Sequence, residues 1–218
     1  MLTIYGVYRS RAIRPLWVLE ESKIPFTHVP VIQAYRLTGT PSPDAPLNTA
    51  MPEYHAINPQ GQIPAMRDGA LLLTESLAIC LHIARKYGGS LGPASDDEAS
   101  VMEQWALFAA TAVEPAAIEI MYTTRDGQAD SPTGQGIIRV AAEKLKRPLA
   151  RLEQHLSTSD WLLNRFTVAD IMVAECLRYG QSHGPLLSDY PKTARWLSAA
   201  QGRPAFNTVW SKRAAEPE

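Results

Sequence analysis

The stretch that decides the fold of this chain is NPQGQIPA, residues 58–65. Gly61 suits a tight turn, and Pro64 is typical of a strand start because proline cannot donate to a sheet ladder. A cis Ile63–Pro64 bond would turn the backbone of Ile63 outward as an edge for an extended peptide. The residues alone favour the plainer alternative, an ordinary proline where a strand begins, since only ~5–6% of X-Pro bonds are cis.

Short strands and helical patterns alternate around this stretch. The predicted elements are a strand at 2–5, a helix at 12–22, a strand at 26–32, a hairpin of strands at 63–66 and 71–73, and a helix at 75–87. The βαβ opening favours a parallel pair of strands, whereas a hairpin is antiparallel. A proline-rich stretch at 38–52 predicts a long loop, and loops of this length are usually functional or mobile.

The second half of the chain has a helical pattern. Glycine, proline and serine replace the periodic apolar residues at 88–95, which marks a boundary. Beyond it, apolar side chains recur at helical spacing, and TVAD at 167–170 has the form of a helix-capping motif. We therefore predict an α/β plus all-α chain, with one domain at 1–87, a linker at 88–95 and a helical domain at 96–218. Asp170 is assigned a structural role in this cap.

Composition and charge exclude several functional classes. The 218 residues contain 21 Lys and Arg against 22 Asp and Glu, and the net charge of -1 argues against a broad nucleic-acid-binding surface. Cys80 and Cys176 have no partner at redox or metal spacing, so we expect neither a disulfide scaffold nor a metal site. No apolar run approaches the ~20 residues of a membrane span, and the N-terminus lacks a secretory pattern. A cytoplasmic protein without membrane or nucleic-acid partners is expected.

Two further clusters place polar side chains at helix starts. Ser10 lies near the start of the first predicted helix, where its hydroxyl could donate to an anion or simply cap the helix. Glu75 and Ser76 lie in the predicted first turn of a later helix, where a carboxylate, a hydroxyl and unpaired backbone N–H groups suit an amino-acid ligand. Glu75 could instead only complement the helix dipole. Taken singly, each plainer alternative is favoured.

Together and in this order, the clusters resemble the cytosolic glutathione transferase family in its serine-type, bacterial-like form. The carriers are Ser10 with Arg14 four residues on, the stretch at 58–65, TESLAI at 74–79, and FTVADI at 166–171. The resemblance covers essentially the whole chain. It implies a thioredoxin-like N-terminal domain, a helical C-terminal domain that binds an electrophile, and glutathione as the co-substrate.

The resemblance also implies a role for each site residue. Ser10 would hydrogen-bond the glutathione sulfur, with Tyr8 and Tyr5 as alternatives because some branches of the family use tyrosine. Ser10 is preferred because Arg14 follows at the serine-type spacing and Tyr5 lies within a strand. The residues implied to hold the rest of glutathione are Gln62 at the glycyl end, Ile63 and the cis-proline Pro64 at the cysteinyl backbone, Glu75 and Ser76 at the γ-glutamyl group, and, as candidates for the glycyl carboxylate, His55 and Arg36.

The predicted function is conjugation of the glutathione thiolate to a hydrophobic electrophile, a detoxification reaction carried out by a homodimer. A glutathione-dependent isomerase or dehalogenase would share the first site and differ in the second. A non-catalytic binding or scaffold protein is disfavoured, because it would have no need of a peptide site. Four side chains at helical spacing could line the electrophile pocket, although such stripes are more often core: Trp105, Phe108, Met121 and Tyr122.

Overall fold

The chain folds as two units, which the computed structural model describes over residues 2–37 and 46–216. The first unit contains the residues up to Gly92 together with those from Pro204 onward. The second unit is Pro93–Arg203. Fully buried apolar side chains form a core in each unit.

A four-stranded sheet forms the centre of the first unit. Its strands are β1 (Leu2–Tyr5), β2 (Thr27–Val29), β3 (Ala65–Asp68) and β4 (Leu71–Thr74), in the spatial order β2-β1-β3-β4. β1 pairs parallel with β2 and antiparallel with β3, and β3 pairs antiparallel with β4. The parallel pair follows from the helical crossover between its strands, whereas Gly69, with φ 60°, allows a direct hairpin between β3 and β4.

The helices of the first unit come from both ends of the chain. They are α1 (Ile13–Ser22), α2 (Pro52–His55), α3 (Ser76–Tyr87) and α9 (Pro204–Ala215), with 3-10 turns at Ala34–Arg36 and Gly89–Leu91. α1 packs against both α3 and α9. The fully buried Trp17 meets the ring of Phe206 edge to face, with centroids 4.9 Å apart. α9 therefore completes the core of the first unit.

The second unit is built from helices. They are α4 (Asp96–Phe108), α5 (Glu114–Arg125), α6 (Pro132–His155), α7 (Val168–Leu177) and α8 (Pro191–Gln201), with 3-10 turns at Arg178–Ser182 and Gly184–Leu187. A π-helical turn at Ala109–Val113 joins α4 to α5. Pro115 has no N–H to donate to the Thr111 carbonyl, so the regular α-helical ladder is interrupted there. No helix among the described residues is long and apolar enough to cross a membrane.

A buried carboxylate holds the start of α7. Asp170 is fully buried, and its Oδ2 accepts the backbone N–H of Thr167 at 2.9 Å, as the capping motif predicts. Its Oδ1 accepts the backbone N–H of Leu162 and the indole N–H of Trp196, each at 2.9 Å. Burial raises the pKa of Asp170, and these donors oppose that rise. One side chain thus ties α7 to the preceding segment and to α8.

The predicted class, α/β plus all-α, is confirmed, and the domain boundaries differ at the C-terminus. Residues 96–218 were expected to form one helical domain. α9 instead belongs to the first unit, because its apolar side chains, including Phe206, pack on α1. Helical periodicity alone does not reveal which core a helix packs against.

Two local predictions also differ from the structure. The helix predicted from 75 begins at Ser76, because Glu75 has φ 65° and lies outside the helical conformation. The loop predicted at 38–52 falls partly on residues 38–45, which lie outside the described residues. Its remaining part contains an isolated bridge between Ile32 and Asn48 and ends at α2, a short helix that the sequence pattern did not predict.

Asp170→Ala is predicted to lower the free energy of unfolding by about 2–4 kcal/mol, because it leaves buried donors without an acceptor. This exceeds the ~0.5–2 kcal/mol of a helix cap alone. Urea denaturation measures the change. Asp160→Ala, at an exposed aspartate of the same unit, is the control. A variant with wild-type stability that loses turnover would show that Asp170 acts in catalysis instead.

Candidate active site

The strand register gathers the three sequence clusters at one end of the sheet. Ala65 pairs with Tyr5 on one side and with Thr74 on the other. The chain therefore leaves β1, enters β3 and leaves β4 at the same level. The loop that carries Ser10 follows β1, the stretch at 58–65 leads into β3, and the start of α3 follows β4.

The turn after β1 lies directly against the Ile63–Pro64 peptide, which is cis. Gly6 has φ 144°, and a Cβ placed on it would lie 2.8 Å from the Cβ of Ala12 and 3.4 Å from the Cβ of Ile63. A side chain at this position would push the turn away from the proline. Glycine is therefore required for the Ser10 turn and the Ile63 backbone to come together.

Two donors fix the carbonyl group of Gln62. The buried Tyr54 hydroxyl and the Asn58 side-chain amide each donate to this oxygen at 2.6 Å. Burial raises the pKa of Tyr54, so its hydroxyl stays protonated and remains a donor. Because C=O and N–H point in opposite directions across a trans peptide, the N–H of Ile63 is oriented as well. Sequence reasoning missed both donors, although Asn58 opens the stretch quoted first.

A buried arginine forms a hydrogen bond with Ser76. The side chain of Arg14 is 1% exposed, and its Nη1 donates to the Ser76 Oγ at 3.0 Å. A hydroxyl that accepts this bond directs its own hydrogen elsewhere, toward a second acceptor. The neighbouring Glu75 is exposed and has the uncommon φ of 65°. The Ser76 hydroxyl, which the Arg14 guanidinium holds in place, is therefore next in sequence to the exposed carboxylate of Glu75.

The three candidates for the sulfur partner have different surroundings. The Ser10 Oγ donates to the Val7 carbonyl at 2.6 Å and accepts the N–H of Ala12 at 3.0 Å. Tyr8 is buried, with its ring edge to face against His28 at 5.2 Å, and burial raises its pKa. Tyr5 is half-buried within β1. The Ser10 hydroxyl closes its own turn, while α1 begins three residues later with Ala12 at its N-cap.

The other candidate residues occupy more varied places. Gln62 and His55 are both exposed. A Cβ on Gly61, the residue before Gln62, would lie 3.1 Å from the His55 Cε1, so His55 is next to this turn. The Arg36 Nη1 donates to the Gln33 Oε1 at 3.4 Å in the 3-10 turn before the loop.

The aromatic stripe of the second unit divides between core and surface. Trp105 is core, as the periodicity favours, and it packs edge to face on the half-buried Phe108. Met121 is half-buried, and Tyr122 is exposed. Phe108 lines a groove of about 1080 Å³ between α5 and α6, whose rim carries four cations: Arg139, Lys144, Arg147 and Arg151. Across the described ranges, no three His, Cys, Asp or Glu side chains could hold a metal ion.

Two family profiles match this chain. The profile of the glutathione S-transferase N-terminal domain matches residues 4–91, and that of the C-terminal domain matches residues 118–204. The chain belongs to the glutathione S-transferase family. As a member, it is a transferase with glutathione as its co-substrate, which confirms the resemblance seen in the motifs.

Similar proteins extend this result over both units. The probable glutathione S-transferase GSTF2 of rice (Oryza sativa subsp. japonica) is 31% identical over 166 residues, covering 73% of this chain and 77% of the relative. Glutathione S-transferase 3 of Zea mays is 31% identical over 215 residues, covering 94% and 91%. Both relatives are from plants, so the expected serine-type, bacterial-like form is not supported.

Solved structures of the family have the same fold. Poplar glutathione transferase F1 matches with a TM-score of 0.82 and 25% identity over 99% of each chain. Glutathione S-transferase-I, solved with lactoylglutathione bound, matches with a TM-score of 0.80 and 26% identity, over 97% of this chain and 99% of that one.

Tyr54→Phe is predicted to weaken glutathione binding by about three- to tenfold, because one of the two bonds that orient the Gln62–Ile63 peptide is lost. The Asn58 bond remains, so binding is weakened rather than abolished. Isothermal titration measures the affinity. Tyr35→Phe, which removes a hydroxyl from a side chain that is 79% exposed, is the matched control. Equal affinity in both variants would show that the Gln62 carbonyl needs only one donor.

Proposed function

We propose that this glutathione transferase binds glutathione at the end of the sheet where the three clusters meet, with Ser10 as the partner of the sulfur. The observation that carries the proposal is the common level of Tyr5, Ala65 and Thr74 in the sheet. It brings a hydroxyl, an extended backbone edge and a polar helix start within reach of one short peptide.

The γ-glutamyl group is assigned to Glu75 and Ser76. Glu75 pairs with the ammonium group, while Ser76 and the backbone N–H groups at the start of α3 donate to the carboxylate. Arg14 strengthens this end because its guanidinium polarises Ser76 from a buried position. The charges at this end are therefore complementary to those of an α-amino acid.

The remainder of glutathione is assigned to the stretch at 58–65. The backbone of Ile63 pairs with the cysteinyl residue beside Pro64, in the manner of an added strand. Gln62 is exposed and is assigned to the glycyl end, together with His55, which lies beside the Gly61 turn. Arg36 remains a candidate for the same carboxylate.

Ser10 activates the thiol by hydrogen bonding. A thiol has a pKa of about 8.5 and is mostly protonated at neutral pH. The Ser10 hydroxyl donates to the Val7 carbonyl in the structure, and an ionised sulfur is a stronger acceptor than a neutral carbonyl. Transfer of this donor to the sulfur favours the thiolate, and each ~1.4 kcal/mol lowers the thiol pKa by one unit. The thiolate then attacks a hydrophobic electrophile.

The reaction is assigned to detoxification in the cytoplasm, and the enzyme to a homodimer. Apolar side chains are exposed on both units. On the helical unit they include Leu107 at 65% exposure and Val140 at 52%, and on the first unit Leu71 and Tyr35. These side chains could be covered by another chain, although an exposed apolar side chain marks an interface only where several of them form one patch. In the proposed homodimer, a second copy of the chain covers these side chains.

Ser10→Ala is predicted to leave glutathione affinity nearly unchanged and to lower turnover at neutral pH by about 10- to 100-fold, which matches ~1.4–2.8 kcal/mol. The thiolate absorbance of the complex, followed against pH, should shift to a higher pKa. Glu75→Ala is the contrasting variant, because it should lose most of the glutathione affinity.

The same titration distinguishes the alternatives. A shift in Tyr8→Phe or Tyr5→Phe and none in Ser10→Ala would transfer the role to that tyrosine. Loss of binding in Ser10→Ala would show that the residue is a structural cap. A panel of haloarenes, epoxides and isothiocyanates identifies the electrophile, and no binding to immobilised glutathione would support a scaffold instead.

Sedimentation is predicted to show a dimer of about 48 kDa, twice the 24.0 kDa of the chain. Val140→Lys should weaken it because a further cation would be buried beside Lys144 and Arg147 of the same groove. Gln135→Lys, on the same helix but outside the groove, is the control. A species of only 24.0 kDa at micromolar concentration would contradict the homodimer.

A further inference from the structure

The C-terminal segment places a carboxylate on the turn that carries Ser10. The two carboxylate oxygens of Glu216 accept the backbone N–H groups of Tyr8 and Arg9, each at 2.7 Å. The Arg9 Nε also donates to the backbone carbonyl of Glu216 at 3.1 Å. Three donors of two consecutive residues thus converge on one residue that lies more than 200 positions away in sequence.

Glu216 is brought there by a packed helix. α9 ends at Ala215, immediately before it, and packs on α1 through the contact between Phe206 and Trp17. One turn earlier, the Lys212 Nζ lies 5.9 Å from the centre of the Tyr8 ring and 3.6 Å from the Glu20 carboxylate. The position of Glu216 is therefore set by side-chain packing within the first unit.

The two N–H groups belong to the same turn as the Ser10 hydroxyl. Arg9 immediately precedes Ser10, and the Ser10 Oγ itself bonds within the turn, to the Val7 carbonyl and the Ala12 N–H. Consecutive backbone N–H groups that point to one side form a concave site for an anion. A carboxylate that accepts two such bonds is the ligand this arrangement fits.

We propose that the Tyr8 and Arg9 N–H pair is an anion-binding site of the catalytic turn, with Glu216 as its internal ligand, which the ionised sulfur of glutathione displaces. This inference rests on the proposed function of Ser10. Each N–H donates one hydrogen bond, and two anions in a part-buried site repel each other, so carboxylate and thiolate exclude one another. The measured glutathione affinity is reduced by the fraction of enzyme in which Glu216 occupies the site.

The first experiment measures affinity at pH 7 by isothermal titration. Glu216→Ala and Glu216→Gln should bind glutathione about three- to tenfold more tightly than the wild type, because the competing charge is gone. A peptide with alanine in place of the cysteine of glutathione lacks the sulfur, and its affinity should be equal in all three proteins. Glu218→Gln, which removes the same charge from the same end of the chain, is the control and should match the wild type.

The second experiment observes the site without reference to the sulfur. Hydrogen exchange of the Tyr8 and Arg9 amides should be faster in Glu216→Ala than in the wild type, because the amides lose their acceptor. Addition of glutathione should slow it again in the variant. Unchanged exchange between the two proteins would overturn the contact itself.

The remaining outcomes separate this inference from the proposed function. Unchanged or weaker glutathione binding in Glu216→Ala would overturn the competition, while the Ser10 titration would still decide the role of Ser10. Equal tightening for the alanine peptide would overturn the assignment of the sulfur as the displacing group. No glutathione binding by the wild type and every variant would overturn the proposed function itself.

Discussion

The pairing of Ala65 with strands on both sides is the constraint on which the rest of the first unit depends. Ala65 is fully buried and opposite both Tyr5 and Thr74. Because side chains alternate along a strand, a slip by one residue in either ladder would move every side chain of that strand to the other face. The same slip would separate the Ser10 turn from Pro64 or the start of α3 from both. The strand register that the core requires is therefore also the register that brings the site residues together.

Buried polar side chains near this end of the sheet hold backbone segments that strand pairing alone does not fix. Tyr54 and Asn58 share the Gln62 carbonyl, and Arg14 supports Ser76 from a position that is almost completely buried. Each of these three side chains orients a group to which the proposed function assigns a contact with glutathione. A group that is already held in place loses less entropy when it binds.

The order of elements and the family could be predicted from the sequence, because both reside in local patterns. Alternating short strands, a glycine turn and the TVAD cap are each visible within a few residues. The role of α9 could not be predicted, because its few apolar residues could pack on any apolar surface and their packing on α1 is decided by the tertiary structure. Glu216 was missed for the same reason, since no motif connects it to Tyr8.

The residues of the candidate site likewise divide into those that local sequence patterns indicate and those that depend on the tertiary structure. Ser10, Pro64 and Glu75 stand in short motifs, so the sequence indicated them. The support from Tyr54 depends on a helix of four residues that has no periodicity to detect. The sequence predicts Glu75 in the first turn of a helix because apolar residues at helical spacing follow it, and only the backbone shows that its φ is positive. Conformation at a single residue is decided by the tertiary structure around it.

The charges around the site follow a consistent arrangement. Hydrogen-bond donors or cations lie at Ser76 with Arg14 and at the N–H pair of Tyr8 and Arg9, and Glu75 supplies an exposed carboxylate between β4 and α3. An α-amino acid linked to an ionised sulfur has the opposite pattern. A site that prefers anions also attracts the protein's own carboxylates, and a nearby terminal helix makes that encounter intramolecular. The N–H groups that suit a thiolate therefore also bind the Glu216 carboxylate, because backbone N–H groups do not distinguish one anion from another. Which anion they bind depends on how strongly α9 holds Glu216 near them and how strongly the rest of the site holds glutathione.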